Sequence, residues 1–264
     1  MLTAVKNQIK VSLLSLKYSI MREMLNKVTF LSNVIFMMLN NASFLVQWII
    51  LFALKDNIGG NSMHEVFLLW GLAASTYGVA RFFFLGAFDL SELITNGKLD
   101  SYLVQPKDVL ITIITSKSSS SALGDLLYGY VMLAIYGIDL KIFALFTLFS
   151  ICGGLILVGM SVFYSSLGFW FTRTEALTDQ VNTLMVNFAT YPEGIFKGIT
   201  KGILFTLIPV GIVNYLPIRV MKVFDLKYTL IVIAVTIVII LAAYVIFNRG
   251  LKKYSSSNLM SARV

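Results

Sequence analysis

Four side chains in apolar stretches carry the types that could do chemistry: Asp125 and Asp179 as acids in the interior of theirs, Arg81 and Lys117 as cations toward the ends of theirs. Hydrocarbon cannot solvate such groups, so at these positions they mark ion or substrate pathways, proton relays or internal ion pairs. Asp125 therefore reads as a cavity or relay residue, as the partner of Arg81 or Lys117, or as a polar contact at a subunit interface. His64 is the single histidine and Cys152 the single cysteine, so no metal site and no disulfide framework are expected. No phosphate-binding glycine loop, nucleophile elbow or metalloprotease helix motif occurs, and residues 194–202 hold glycines without the order a phosphate loop needs. The expectation is a chain with no catalytic residues, driven by an ion gradient or by a partner ATPase.

The elements that must hold those four side chains are hydrophobic helices. Of 264 residues, 58% are hydrophobic and 13% charged, against about 45–50% and about 25% in soluble domains. One globule of this size cannot bury that excess, which predicts an all-α polytopic membrane protein. With about 20 apolar residues per crossing, residues 28–54, 63–88, 109–137, 142–171 and 228–247 read as spans. Two weaker pieces remain: residues 177–191, which carry Asp179, Gln180, Asn182 and Asn187, and residues 203–213, which are short and contain Pro209.

Charge decides between them. The amino-terminal arm carries Lys6, Lys10, Lys17, Arg22 and Lys27 against Glu23, and the tail carries Arg249, Lys252, Lys253 and Arg263. Both termini are therefore expected in the cytoplasm, with an even number of crossings. Six spans follow if residues 177–191 cross and residues 203–213 dip in and return. The strain in this assignment is that Lys197, Lys201, Arg219, Lys222 and Lys227 then lie outside. Residues 1–264 read as one domain. Within it, residues 1–27 form an amphipathic interface helix, with Ile9, Leu13, Leu16, Ile20 and Met24 on one face and Lys6, Lys10 and Lys17 along its edge. The serine run at residues 116–121 falls early in the third span, where small hydroxyl residues let helices approach.

Residues 89–106 are the one long polar interruption in the first two thirds of the chain. They predict a short helix over 91–96, with Ser91 as N-cap and Gly97 at C′, then an extended or helical arm over 99–104 closing at Pro106. On a membrane protein such a segment is a surface offered to a partner. Later, Tyr191-Pro192-Glu193-Gly194 predicts a sharp turn, and Pro209 and Pro217 bracket a stretch that cannot be one uninterrupted helix. That stretch reads as an outer gate or as a passive lid.

Several of these residues follow a known order. Gly97-Lys98-Leu99-Asp100 with Tyr102-Leu103 and Pro106 resembles the G-x-L-D-x-x-L-x-x-P segment of one branch of the ABC-2 type transporter permeases. Phe169-Trp170 with Arg173, then Tyr191-Pro192 and Ile195-Phe196, is similar to that branch's F-W-x-x-R and Y-P-x-x-I-F signatures, followed by Pro209, Asn214-Tyr215 and Pro217. The stretch 249–256 is similar to its R-G-L-x-x-Y-x-S tail. The resemblance implies a six-span permease subunit in the plasma membrane, with a cytoplasmic coupling helix after the second span and re-entrant helices on the outer side between spans five and six. It implies a second permease, often a related one in a heterodimer, and a separate ATPase that binds ATP and Mg²⁺, so that this chain carries no cofactor. It implies export. Glu92, Lys98 and Asp100 would then supply charge pairing to the ATPase, and Leu99, Tyr102 and Leu103 an apolar anchor. Two other readings stay open: an ion-coupled transporter or channel using Asp125 and Asp179, and a scaffold that recruits a cytosolic protein through residues 89–106.

Overall fold

In a computed structural model the described residues are 2–172 and 174–254, with the side chains of residues 2–5 set aside. They form an all-helical protein, with no β-strand among the described residues. Twelve α-helices follow in order: α1 (Leu2–Glu23), α2 (Lys27–Leu54), α3 (Met63–Phe84), α4 (Leu90–Thr95), α5 (Asp100–Leu103), α6 (Val109–Ile114), α7 (Ser120–Tyr136), α8 (Leu140–Ser166), α9 (Thr174–Ala189), α10 (Gly198–Ile203), α11 (Leu216–Lys222) and α12 (Leu226–Leu251). Four helical stretches are long and apolar enough to cross a membrane: Lys27–Leu54, Met63–Thr95, Leu140–Phe169 and Leu226–Leu251. The helices α7 and α9, with 17 and 16 residues, span about 25 Å each at 1.5 Å per residue, short of the roughly 30 Å hydrocarbon core.

Burial sorts the long helices into centre and rim. In their most apolar windows the α3 and α8 stretches are 67% and 61% buried, those of α2 and α12 only 17% and 22%. The central contacts are close because small residues face each other. A Cβ on Gly129 of α7 would stand 1.9 Å from Ser75 Oγ and 2.4 Å from the Gly71 carbonyl of α3, and one on Gly78 of α3 would stand 2.7 Å from the Leu126 amide nitrogen. Without a hydrophobic drive between helices in lipid, backbone approach of this kind is what holds them. The rim helices leave apolar faces outward, such as Leu31, Ile35 and Leu39 on α2 and Leu230, Ile237 and Leu241 on α12.

The third expected span is not one helix. It breaks over residues 115–119 into α6 and α7, and the serine run supplies the reason. Thr115 and Ser116 turn their hydroxyls onto the carbonyls of Ile111 and Ile113, both at 2.7 Å, and Ser118 donates to the Phe82 carbonyl at 2.8 Å. Side chains that bond nearby backbone compete with the helix ladder. The freed loop ties several elements together: Ser19 of α1 donates to the Ser116 carbonyl at 2.7 Å, Lys117 pairs with Asp89, and Asn33 of α2 donates to Ser120 at 3.0 Å.

The amino-terminal helix is amphipathic, and it meets the protein with its small polar edge. Ser19 is buried and Gln8, Ser12 and Ser15 half-buried, while Ile9 and Leu13 point away. The Asp108 amide donates to Gln8 Oε1 at 3.0 Å. Near the other terminus Tyr244 of α12 donates to Asp108 Oδ2 at 2.7 Å, so both terminal helices meet α6 at one end of the molecule. At the opposite end the segment between α9 and α12 doubles back. The Glu193 carboxylate receives Arg219 Nε at 2.9 Å, 26 residues on.

Candidate functional site

The polar interruption is built as a folded knee. Leu90 and Ile94 of α4 are fully buried, which draws the helix onto the protein, and Ser91 is buried with them. The N-cap therefore falls two residues earlier than predicted, at Asp89 rather than Ser91. At its other end Gly97 adopts φ +64°, a conformation side-chain-bearing residues resist. Lys98 N–H reaches the Leu93 carbonyl at 2.9 Å and Gly97 N–H the Ile94 carbonyl at 3.3 Å, which closes the helix with paired C-terminal bonds. Lys98 then folds back on Glu92 at 2.8 Å, and this hydrogen bond holds the Glu92 carboxyl below its ordinary range.

Residues beyond the knee come to it from three parts of the chain. Phe169, after α8, lies edge-on to Phe247 and Tyr254, with ring centroids 5.7 and 6.3 Å away. Gly250 lies under the same ring, where a Cβ would stand 2.1 Å from Phe169 Cδ2. Tyr254 turns its hydroxyl toward the Asp100 carboxylate; burial together with that charge pushes it up to about 12. Leu99 has no exposed surface in this chain, so it packs inward and anchors the knee. Tyr102 is half-buried against the same core. The apolar surface that faces outward is Leu103, 40% exposed, and Val104, 83% exposed, with Pro106 nearby also exposed. Of the positions with matching sequence patterns, Arg173 and residues 255–256 lie outside the described residues.

A second cluster closes the far end. Tyr191 packs edge-on to Trp48 of α2 at 5.7 Å, and Pro192 is buried beside Gly59 in the loop between α2 and α3. Glu193 holds both Arg219 and Lys201, the latter at 2.7 Å. Burial alone would push its carboxyl up, but the hydrogen bonds from Arg219 and Lys201 outweigh it, and the carboxyl ends below its ordinary range. Lys222 of α11 pairs with Glu65 of α3 at 2.6 Å. The chain turns through buried Pro209 into a single wide turn over Gly211–Tyr215, and Pro217 sits in the first turn of α11, where its missing N–H costs nothing. Inside this turn Asn214 Nδ2 donates to the carbonyls of Leu69 and Ala189, and Tyr215 Oη to that of Phe188 at 2.8 Å.

Between the two clusters runs a polar groove walled by α3 and α9. Near α4 it is a cleft of about 510 Å³ that includes Arg81, Asp89, Glu92, Glu175 and Asp179 in its lining. Farther along, a cavity of about 460 Å³ includes Asn41, Phe44, Trp70, Asp125 and Tyr191. Tyr77, Val186 and Asn187 belong to both. Of the four ionisable residues singled out from the sequence, three line this groove. Lys117 instead stays in the loop on Asp89. Arg81 donates to the Tyr77 hydroxyl at 2.6 Å and lies 5.2 and 5.3 Å from the ring centroids of Tyr77 and Phe88. Asp125 accepts from Asn41 Nδ2 at 2.6 Å and is 4% exposed. Asn41 was missed from the sequence, although an Asn40-Asn41 pair in the middle of an apolar run is itself a signal.

A family model described as "ABC-2 family transporter protein" matches residues 19–258. No curated protein and no solved structure matches the chain.

Proposed function

Because the chain belongs to the ABC-2 family of transporter proteins, we propose that it is the permease subunit of an ATP-driven exporter, working beside a second permease and driven by a separate ATPase. The family itself implies the ATPase partner. The observation that carries the reading to particular residues is the knee: a rigid element, fixed to α8 and α12 from behind, whose outward surface is Leu103 and Val104 beside the Glu92–Lys98 pair. Docked in a cleft of the ATPase, such an element moves when the nucleotide sites close on ATP and Mg²⁺. In this reading the α4 end is cytoplasmic, with both termini, and the chain sits in the plasma membrane with six crossings: α2, α3, α7, α8, α9 and α12. The short α9 crosses with its polar side on the groove. The segment from Tyr191 to Lys222 is re-entrant on the outer side, and it gates release. The ion-coupled reading draws on Asp125, and the match across residues 19–258 weighs against it.

The test is co-purification from the native membrane in mild detergent. An ATPase with a phosphate-binding loop is expected to come with the wild-type chain. Replacing Leu103 and Val104 by Ser should release it, lowering recovery at least about tenfold through loss of an apolar anchor, with the permease's melting midpoint unchanged. Full ATPase recovery with the double variant removes the knee from the interface. A chain that returns alone, even after crosslinking, removes the permease reading.

A further inference from the structure

The groove holds an acid whose surroundings are those of a cation site. Asp125 Oδ1 is occupied by Asn41, and Oδ2 has no hydrogen-bond partner among the described residues, in a side chain almost wholly buried. No described lysine or arginine forms a salt bridge with it: the Arg81 charge acts on Asp125 from a distance but its hydrogen bond goes to Tyr77, and Lys117 pairs with Asp89. A buried charge left this way is costly unless something else fills its free valence. Around the same cavity stand the rings of Phe44, Trp70, Tyr77 and Tyr191, with Phe44 and Trp70 stacked at 6.1 Å and 20°. Aromatic faces attract cations, and most strongly those too weakly hydrated to resent leaving water. The groove already seats one such group, the guanidinium of Arg81 over Tyr77 and Phe88. The volume of about 460 Å³ falls in the range of about 300–1,000 Å³ typical of small-molecule sites.

From this combination we infer that the cavity binds the transported substrate, and that the substrate is an amphiphilic organic cation whose charge is countered by Asp125 and whose apolar body lies among the four rings. The word "transported" rests on the permease reading; the cation site does not. Asn40, Asn41, Gln47, Asn187 and Thr190 add neutral oxygens to the lining, but Asp125 is its one carboxylate, so a divalent metal ion would meet a single negative charge and the rings favour a quaternary or delocalised monovalent cation. Its neutral isostere would leave Asp125 as unpaired as before.

The probe is tetraphenylphosphonium, measured by equilibrium binding to the native complex in phosphatidylcholine nanodiscs without nucleotide. Saturable binding is expected, with neutral triphenylphosphine oxide unable to compete. Asp125→Asn should weaken it at least about tenfold, and Asp125→Glu should restore part of the loss. Phe44→Leu, at a half-exposed position where folding is not at risk, should weaken it about three- to tenfold. Asp125→Asn binding as tightly as wild type, the neutral oxide competing as well as the cation, or no saturable binding at all overturns the inference. If the Asn variant does not fold, Phe44→Leu decides: unchanged affinity is a refutation. Recovery of the ATPase is scored on the same preparations, so cation binding without an ATPase would keep the site and discard the permease reading.

Discussion

Alanine at position 250 gives opposite predictions from helix propensity and from packing, so its sign tests the contact behind the knee. In the interior of an isolated helix Gly→Ala is worth about 1 kcal/mol of stabilisation. Here the new methyl carbon would lie 2.1 Å from Phe169 Cδ2, 2.7 Å from Cγ and 2.9 Å from Cε2. Ordinary carbon contact is about 3.5 Å, so the ring edge must retreat by more than about an ångström. Cγ is attached to the backbone through Cβ alone, and the ring is flanked by Phe247 and Tyr254; a simple rotation does not clear it. Overpacking of this kind costs about 1–3 kcal/mol, and with a clash this close the middle of that range leaves a net loss of about 1 kcal/mol after the propensity gain. The apparent melting midpoint of Gly250→Ala should fall by about 2–4 °C, read by thermal scanning in nanodiscs. Because Tyr254 and Asp100 are carried on the displaced parts, ATPase recovery should fall with it. Phe169→Leu in the same chain should recover most of the loss, a coupling that independent sites would not show. A Gly250→Ala midpoint equal to or above wild type refutes the account, because it would leave propensity alone in control.

Two further perturbations follow from distances already given. Glu193→Gln removes both ion pairs of the segment between α9 and α12 and should cost about 1–2 kcal/mol, discounted for the exposure of Arg219 and Lys201. The Glu193 carboxyl is depressed in the folded state, so its contribution is present above the ordinary carboxylate value near about 4.3 and fades as pH falls through its lower folded value; wild type and variant melting curves should converge below that point, and an equal gap at all pH values would show that the charge is not involved. Gly78→Ala and Gly129→Ala should each cost about 2–3 kcal/mol by pushing α3 and α7 apart through atoms that include backbone. The double variant should cost less than the sum, since one separation relieves both clashes, and strict additivity of the midpoints would count against a shared contact.

The spans visible in the sequence are those whose hydrophobic residues run without interruption, in the buried centre (α3, α8) and on the rim (α2, α12) alike. The runs at 28–54 and 228–247 carry most of their hydrophobic surface outward, so composition alone outlines α2 and α12 to within a few residues. The helix before Gly97 was legible because left-handed backbone demands glycine there. The break over residues 115–119 was not, because hydrophobic length says nothing about hydroxyls that bond the backbone next to them. The direction of α1 was hidden for a related reason: its apolar face is the obvious feature, and its serine edge is what touches the protein. Asp125 could be found from the sequence and its neighbour Asn41 could not be paired with it, since 84 residues separate them. Leu99 shows the converse, a residue in a matching pattern whose role is inward.

The third helix bears on how the two ends of the molecule keep time. Glu65 near its start is tied to Lys222 of α11, and its last turn passes through a short corner directly into α4. That corner is strapped from two sides, by Ser118 on the Phe82 carbonyl and by Ser161 of α8 on that of Ala87. A single connecting rod therefore runs from the Glu65–Lys222 pair at the far end to the knee, with its one bend clamped. In the proposed transporter, displacement applied at one tip would be passed along this rod to the other, since its bend is held by hydrogen bonds to two neighbouring elements. In the proposed topology a machine built this way would move its knee end and its far end together rather than in turn.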